Sequence, residues 1–441
     1  MSRRVVVVGG GLAGITAALD CARAGARVTL VEVRPRLGGA VYSFERAGLR
    51  MDNGQHVFLR CCGAYRALLE RIGGARGVEV QRRLEIPVVS PGGRETVLRR
   101  SRLPAPLHLA GALARYPHLT IPQRVRAGRA ALALGRLGPS TRGLDEQTLG
   151  QWLAAHRQGP RAVAALWDLI ALPTLNLPAA QASLELGAFV FRKGLLERAD
   201  AGDIGFHRSP LSEIVGEPAE RALRAAGVQL RLGWRAQGLA RTESGFELSG
   251  DSDGEGLSVE AVVVALPHAR AAKLIEDLDG RAAARAGALR DAPIVNLHVV
   301  YDRVVCEQPF AAGVGTPAQY VFDRSEAGGV GEGRQYLAVS LSGADREMGA
   351  SVDELRERYL PALAELFPRA RGARVEQFVA TREHAATFRA QPGSAALRCG
   401  PRTATRGLVL AGAWTATGWP ATLEGAVLSG HAAADCVLEA L

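Results

Sequence analysis

The chain has 441 residues, of which 47% are hydrophobic and 22% charged, and its formal net charge is +10. This length and composition exclude a disordered tail and a small disulfide scaffold, and they allow one large core or two moderate ones. Lys193 and Lys273 are the only lysines, so nearly all the cations are arginines. Because alanine and glycine are also abundant, the composition reflects a genomic bias as much as selection for polyanions, and the charge does not predict nucleic-acid binding.

The cysteines and the apolar segments limit the cellular context. The six cysteines form no Cys-x-x-Cys pair and have no metal-like spacing with histidines, so we expect reduced thiols, no metal site and a cytoplasmic location. Glycines at 9–11 interrupt the N-terminal apolar run, which argues against a signal peptide. The longest apolar stretch, Ala162–Ala180, contains an aspartate, an asparagine and two prolines, so no membrane-spanning helix is predicted.

The N-terminal segment predicts a strand, a helix and a second strand in parallel topology. Arg4–Val8 reads as a buried strand, Ile15–Ala24 has helical composition, and Val28–Val31 is a second short strand. Their connecting turn, Gly9–Gly14, matches Gly-x-Gly-x-x-Gly, in which glycines allow a tight turn and the helix N-terminus receives a pyrophosphate. Glu32 ends the second strand, where an acid binds a ribose hydroxyl. The unit therefore predicts a dinucleotide site.

The rest of the chain alternates between segments that continue the nucleotide fold and segments that do not. The proline-rich and basic region from about residue 76 to 203 does not continue the nucleotide fold. Strands at Gly227–Leu232, Gly245–Ser249 and Ala261–Leu266 predict a return to it, and Gly407–Ala411 opens a final strand, loop and helix. We predict a discontinuous nucleotide-binding domain of residues 1–75, 205–269 and 399–441, and an interleaved domain of residues 76–204 and 270–398.

Four motifs carry a resemblance to a known superfamily. Gly9-Gly-Gly-Leu-Ala-Gly14, Glu32–Gly39, Asp52-Asn-Gly-Gln-His56 and Leu410–Ala426 occur in the order seen in the FAD-dependent amine oxidases and carotenoid desaturases. Within that superfamily, four further segments resemble the hydroxysqualene dehydroxylases: Asp52–Cys62, Leu103–Leu109, Leu172–Asn176 and Pro210–Ile214. The resemblance spans essentially the whole chain. It implies FAD as cofactor and an α/β plus α+β fold, with a Rossmann-like FAD-binding domain and an interleaved substrate-binding domain of amine oxidase/phytoene desaturase type.

The resemblance also assigns residues to the cofactor. It places Gly9, Gly11, Leu12, Ala13 and Gly14 at the pyrophosphate, Glu32 on the adenosine ribose, Arg34, Gly38 and Gly39 along the diphosphate, Gly54, Gln55 and His56 beside the isoalloxazine, the main chain of Ala236 at the adenine, and Gly412, Thr422, Leu423 and Glu424 at the ribityl chain and the flavin carbonyl edge. Two positions depart from the family pattern: Ala40 replaces an arginine and Ala413 an aspartate. Each loses a polar contact of about 1 to 3 kcal/mol, so we expect weaker FAD binding than is usual in the family.

The family's reaction removes an allylic hydroxyl from a hydrophobic triterpenoid and gives squalene. An acid must protonate the departing water, and His56 is the first candidate because imidazole donates a proton near neutral pH. The alternative for His56 is a structural role beside the flavin. Glu424 is the second candidate acid, with helix capping or flavin contact as its alternative. With one nucleotide site predicted, we expect reduced nicotinamide, NAD(P)H, to visit transiently or a partner reductase to deliver electrons.

Two other functions are compatible with the sequence. One is a carotenoid-type desaturase or an amine or porphyrinogen oxidase, and the other is a non-catalytic lipid escort protein with the same fold. The segment 99–137 adds an expectation about location: Leu103–Ile121 is apolar, and it lies between Arg99–Arg102 and a basic run at Arg124, Arg126, Arg129 and Arg136. This pattern predicts a peripheral patch on the anionic inner face of the cytoplasmic membrane, with an ordinary helical lid as the alternative.

Overall fold

The computed structural model describes residues 3–138, 140–251 and 256–441. In these ranges the strands are β1 (Arg4–Val8), β2 (Arg27–Glu32), β3 (Ser43–Arg46), β4 (Leu49–Asp52), β5 (Phe58–Leu59), β6 (Val78–Val80), β7 (Glu85–Ser90), β8 (Arg94–Arg99), β9 (Ile204–His207), β10 (Gln229–Leu232), β11 (Ala236–Thr242), β12 (Gly245–Gly250), β13 (Leu257–Val259), β14 (Ala261–Val264), β15 (Asp291–Tyr301), β16 (Phe310–Gly313), β17 (Tyr320–Asp323), β18 (Gln335–Ser342), β19 (Val375–Phe388) and β20 (Leu408–Leu410). The α-helices are α1 (Leu12–Arg23), α2 (Gly63–Ile72), α3 (Ala110–Ala114), α4 (Ile121–Leu134), α5 (Leu149–Ala155), α6 (Pro160–Ala162), α7 (Asp168–Leu175), α8 (Leu184–Phe191), α9 (Glu217–Ala225), α10 (His268–Ile275), α11 (Gly280–Ala288), α12 (Ser325–Gly328), α13 (Val352–Leu366), α14 (Ser394–Leu397) and α15 (Leu423–Ala440). Turns of π-helix occur at Val163–Trp167, Arg192–Leu196 and Ser212–Gly216.

The nucleotide-binding part is built on a five-stranded parallel sheet in the order β10-β2-β1-β14-β20. The valines of β1 are buried on both faces, as in parallel sheets that helices cover on each side. Helices α1 and α15 pack closely together, and a Cβ added at Gly430 of α15 would lie 2.4 Å from the carbonyl oxygen of Ala13. Segments far apart in the sequence therefore complete one sheet and its covering layer.

A seven-stranded sheet, in the order β19-β15-β18-β17-β16-β7-β8, forms the second part. Its neighbours pair antiparallel except for β16 and β7, which are parallel. Along β15 the side chains alternate in direction, so Leu297 and Val299 join the apolar cluster that includes α13, while Asn296 and His298 point to the opposite face. Asn296 donates from Nδ2 to the carbonyl oxygen of Asn53 at 3.0 Å, which ties this sheet to the segment after β4.

The predicted fold class is confirmed, and the elements show where the sequence was informative. The strands predicted at 28–31, 227–232, 261–266 and 407–411 are present as β2, β10, β14 and β20, and the one predicted at 245–249 is β12, which lies in a separate three-stranded sheet with β11 and β13. The first helix begins at Leu12, earlier than the predicted Ile15. Strands β7 and β8 were not predicted, because Pro87 and Pro91 hide a hairpin that joins the second sheet. The domain boundaries remain a prediction.

One buried carboxylate joins three segments near the junction of the two parts. The side chain of Asp203 is fully buried and accepts hydrogen bonds from Arg60 Nε at 2.9 Å, Arg100 Nε at 2.7 Å and the backbone N–H of Leu84 at 2.7 Å. Burial alone raises the pKa of this carboxyl, but the two guanidinium groups outweigh burial and hold the pKa below its usual value. Removing the carboxylate leaves two partly buried cations unpaired.

We predict that Asp203→Ala lowers the free energy of unfolding by about 3 kcal/mol, because the guanidinium groups of Arg60 and Arg100 then stay partly buried without a counter-charge. Chemical denaturation of the purified variant measures this change. Asp200→Ala is the control, since its ion pair with Arg198 is exposed and we expect a change within about 0.5 kcal/mol. Equal effects of the two substitutions would contradict the proposed role of Asp203.

Candidate active site

The carboxylate of Glu32 organises the nucleotide loop. Its Oε2 accepts from the backbone N–H of Gly10 at 2.7 Å, and its Oε1 accepts from the N–H of Arg34 at 2.9 Å. Helix α1 starts at Leu12 after Gly11, and within the described ranges no side chain caps this end. The N–H groups of Leu12, Ala13 and Gly14 therefore lie at a helix N-terminus suited to an anion.

The glycines of this loop have two different roles. A Cβ added at Gly14 would lie 1.9 Å from the carbonyl oxygen of Gly9, and one added at Gly9 would lie 2.4 Å from that of Ala265. At Gly11 the nearest atom to an added Cβ is Cα of Gly39, at 3.8 Å. Gly9 and Gly14 thus allow the backbone to pack, whereas a methyl group at Gly11 would make only an ordinary contact with Gly39, and we expect the pyrophosphate to approach the backbone at Gly11.

The other predicted cofactor residues lie on segments that meet this loop. The N–H of Trp234 donates to the carbonyl oxygen of Glu32 at 2.9 Å, which brings the start of β11 at Ala236 towards the ribose side. At the C-terminal side, the N–H of Gly412 donates to Oγ of Ser429 at 2.8 Å, and Thr422 caps α15 immediately before Leu423. These contacts show how the segments are held, and the contacts to FAD remain predictions.

Glu424 has a definite structural contact. Its carboxylate is buried and accepts from the backbone N–H groups of Ala64 at 3.0 Å and Tyr65 at 2.7 Å, so it stabilises the first turn of α2. Burial raises its pKa. A protonated carboxyl group would be a weaker acceptor for these two backbone donors, so the geometry favours the capping role over the catalytic one.

A buried arginine that sequence reasoning missed holds the closing segment. Arg398 donates to the carbonyl oxygens of Trp414 at 3.1 Å, Thr415 at 2.5 Å and Trp419 at 2.6 Å, and its guanidinium lies 4.8 Å from the ring centre of Phe388. Burial lowers its pKa to about 10. This one side chain fixes the loop that follows β20, near the missing aspartate at position 413. No local motif distinguishes it from the many other arginines.

His56 lies in a cluster of unpaired polar atoms. Nε2 of His56, Nε2 of Gln55 and Oδ1 of Asn296 are among the buried side-chain atoms that have no hydrogen-bond partner in the described part of the chain. A Cβ added at Gly54 would lie 3.5 Å from Nε2 of His56 and 3.7 Å from Nδ2 of Asn296, so His56 and Asn296 flank this glycine. Buried polar groups normally have partners, and such a set indicates a bound polar ligand. Burial lowers the pKa of His56, and Asp52 partly opposes this.

A second histidine, also missed from the sequence, holds His56 in place. His207 is buried, with Nδ1 at 2.5 Å from the carbonyl oxygen of His56 and Nε2 at 2.7 Å from the hydroxyl of Tyr65. Burial lowers the pKa of His207 to about 3, so the ring is neutral at physiological pH, with Nδ1 donating and Nε2 accepting. Arg324 donates to the carbonyl oxygen of His207 and to Asp52, the latter at 2.7 Å. The His56 loop is therefore rigidly supported.

These residues fit two parts of FAD. The glycine cradle and the uncapped helix suit the diphosphate, and the unpaired atoms of Gln55 and Asn296 suit the polar edge of an isoalloxazine. Among the described residues there is no group of three or more side chains arranged to hold a metal ion.

Comparison with known proteins decides the family. The chain matches the sequence profile described as flavin containing amine oxidoreductase over residues 12–438. It belongs to that family. It is 31% identical to the hydroxysqualene dehydroxylase of Rhodopseudomonas palustris, over 100% of this chain and 99% of that protein, and 29% identical to the one of Sinorhizobium fredii, over 99% of each. A zeta-carotene desaturase of Zea mays is 23% identical over 97% of this chain and 82% of its own length.

Solved structures agree on the fold. Cyclohexylamine oxidase from Brevibacterium oxydans superimposes with a TM-score of 0.75 at 19% identity, covering 100% of this chain and 99% of its own. The predicted membership of the amine oxidase and desaturase superfamily, the FAD cofactor and the oxidoreductase class are confirmed. The assignment of individual site residues remains a prediction.

The two glycine roles give a matched pair of variants. Gly11→Ala should leave the apoprotein's thermal stability nearly unchanged and weaken FAD binding by at least tenfold, because its Cβ has room in the protein but enters the pyrophosphate space. Gly14→Ala should destabilise the fold itself, since its Cβ collides with the backbone of Gly9. Flavin fluorescence titration and thermal unfolding measure the two effects. Unchanged FAD affinity in Gly11→Ala would contradict this placement of the pyrophosphate.

Proposed function

We propose that this chain converts hydroxysqualene to squalene by FAD-dependent reductive dehydroxylation. The observation that carries the proposal is the full-length similarity to hydroxysqualene dehydroxylases, at 31% identity for the first of them. The supporting geometry is the unpaired Nε2 of His56 beside Gly54, in the segment that the resemblance places along the flavin.

The reaction breaks one carbon–oxygen bond and forms one carbon–hydrogen bond. A proton joins the allylic hydroxyl, water leaves, and the allylic cation takes a hydride, so each turnover consumes one proton and one hydride, which together are two protons and two electrons. Reduced FAD, when bound, supplies the hydride. We propose that Nε2 of His56 delivers the proton, because it is buried, unpaired and fixed in position by His207.

The surroundings of His56 suit this reaction. On one side lies a polar cavity lined by Asp52, Gln55, His56, Val57, Phe206, His207, Arg208, Leu211, Pro309, Phe322, Asp323, Arg324, Glu326 and Ala327. Exposed residues at its rim, Arg208 and Glu326, connect it to solvent, from which His56 can recover a proton.

An aromatic row starts at the same cavity. Phe206, Phe310, Phe322 and Tyr320 follow one another with ring centres 5.0, 6.0 and 6.2 Å apart. Of these rings, Phe206 and Phe322 line the cavity, and their faces suit a hydrocarbon chain and an allylic cation. Phe310 is buried behind them in the apolar core. Trp414 is also buried and donates to the carbonyl oxygen of Leu266 at 2.9 Å, which favours core packing.

A desaturase is the second candidate function. In a desaturase electrons pass from the substrate to the flavin, which is the reverse of their direction in the dehydroxylase. The desaturase of Zea mays is less similar, at 23% identity against 31%, so the reductive direction is preferred. The electron donor that we propose is NAD(P)H or a partner reductase. The lipid escort reading conflicts with the confirmed flavin family.

We predict that anaerobic enzyme with chemically reduced FAD consumes hydroxysqualene and forms squalene in step with flavin oxidation. His56→Ala should slow this turnover by roughly 10² to 10⁴ while leaving the flavin spectrum nearly intact. Because burial lowers the pKa of His56, the wild-type rate should fall as pH rises through a value below 6.5. This dependence of the rate on pH should be absent in His56→Ala.

Failure of the wild type to form squalene under these conditions would remove the dehydroxylase proposal. A saturated polyene precursor that reduces oxidised FAD would establish the desaturase reading instead. A fully active His56→Ala variant would leave the reaction assigned and exclude His56 as the acid.

We also propose that the chain binds an anionic membrane surface through α3, α4 and the segment before them. Large apolar side chains are exposed here: Ile121 is 72% exposed, and Leu103, Leu107, Val125 and Leu132 are each about half exposed. Exposed arginines surround them at 102, 115, 126, 129 and 136. A helix long and apolar enough to cross a bilayer does not occur in the described ranges. An amphipathic surface of this kind favours peripheral binding.

Arg124 differs from the other arginines of this surface. Its guanidinium donates to the carbonyl oxygens of Ala114 at 2.5 Å and Leu119 at 2.9 Å, so it joins α3 to α4. A charge reversal there would disturb the structure as well as the surface charge.

We predict that Arg126→Glu with Arg129→Glu reduces sedimentation with anionic liposomes, and that high salt does the same. Ile121→Ser with Val125→Ser should weaken binding even to neutral liposomes, because apolar insertion is lost. Val304→Ser with Val352→Ser is the control, since these side chains are also exposed but lie outside the surface. If all variants partition like the wild type, the segment is a lid.

A further inference from the structure

Arg36 lies beside the nucleotide loop without a charged partner. It is half buried, and in the described ranges its Nη2 is fully buried and has no hydrogen-bond partner. Its Nη1 makes only long contacts, 3.4 Å each, to the carbonyl oxygens of Leu37 and Gly39. Burying an unpaired cation is costly, so this arrangement indicates an anion that is still to be supplied.

The aromatic ring of Tyr42 holds the guanidinium in place. The centre of that ring is 3.7 Å from Cζ of Arg36 and 5.8 Å from Cζ of Arg34, so two guanidinium groups approach one ring. Within the described part of the chain neither forms an ion pair with a carboxylate. The charges of Glu32 and Glu383 both act on Arg36, but Glu32 already accepts two backbone hydrogen bonds and Glu383 accepts from the hydroxyl of Tyr42 at 3.2 Å. Burial and the charge of Arg34 lower the pKa of Arg36.

The position of Arg36 matches the place where an anion is expected. The segment that carries it packs on the glycine loop, with the N–H of Gly38 donating to the carbonyl oxygen of Gly10 at 2.9 Å. Position 40, where the family usually has an arginine, is an alanine exposed to solvent. Position 40 therefore lacks the arginine that is usual in the family, while the guanidinium of Arg36, four residues earlier, has no charged partner.

We propose that Arg36 binds the diphosphate of FAD and replaces the arginine that is absent at position 40. The anion supplies the partner that the buried Nη2 lacks, and the planar guanidinium suits two phosphate oxygens. The loss expected from Ala40 is thereby offset. This inference rests on FAD binding alone and not on the dehydroxylase proposal.

The test is a titration of deflavinated protein with FAD, without substrate, combined with thermal unfolding of the apoprotein. Arg36→Met should raise the Kd for FAD by roughly 10- to 100-fold, as expected for a hydrogen bond between charged groups. The unfolding temperature of the apoprotein should stay within about 2 °C of the wild type, since the loss of the Tyr42 contact and of two long hydrogen bonds is offset by removal of a partly buried, unpaired cation. Competition by ADP should weaken in parallel, because ADP carries the same diphosphate.

Three further variants sharpen the result. Adding Ala40→Arg to Arg36→Met should restore most of the affinity, and Arg36→Lys should lose less than Arg36→Met. Arg23→Met, an exposed arginine of the same loop-helix unit, is the control and should bind FAD like the wild type. If Arg36→Met binds FAD normally while its apoprotein melts at a lower temperature, Arg36 only packs against Tyr42 and the proposal is wrong. Lack of rescue by Ala40→Arg would also count against it.

Discussion

The nucleotide end of the molecule depends on the buried carboxylate of Glu32. Its two oxygens each accept one backbone N–H, from Gly10 on one loop and Arg34 on another, while its own carbonyl oxygen accepts from Trp234. A single side chain at the end of β2 thus aligns three segments around the start of α1. The glycine cradle, the loop that carries Arg36 and the start of β11 all take their positions from these bonds. Without them the N-terminus of α1 would have no defined anion site in front of it.

The site around His56, where we expect the flavin, is built differently, because its polar groups come from several sheets. His56 lies between β4 and β5, Asn296 belongs to β15 of the seven-stranded sheet, and His207 ends β9 of a separate three-stranded sheet. His207 and Arg324 hold the backbone of this loop, and Nε2 of His56 is left unpaired next to Gly54. Electrostatic preorganisation of this kind is effective because its cost is met during folding and not during the reaction. The polar cavity beside His56 is also lined by Phe206 and Phe322 of the aromatic row.

The sequence predicted the parts of this design that are local. The β1–α1–β2 unit, Glu32 and the late strands β14 and β20 were found because period, glycine spacing and strand composition act over a few residues. Asn296, His207 and Arg398 were missed, since their partners are remote: 243 positions separate Asn296 from Asn53, and 151 separate His207 from His56. The hairpin β7–β8 was missed because its prolines are typical of loops. Glu424 was found, but only the structure shows that α2 takes both of its oxygens.

The interleaving of the two parts has a consequence for biosynthesis. Strand β20 and helix α15 come after all the other strands of both sheets in the chain, and α15 packs on α1. While the ribosome is still making residues 408–440, the edge of β14 and one apolar face of α1 remain uncovered, and they are exposed to chaperones and proteases. Because the predicted FAD site includes Gly412 and residues 422–424, the site is complete only after synthesis, and flavin in the cell then acts as a ligand that draws newly made chains into the native state. The amount of active protein should therefore follow flavin availability as well as transcription.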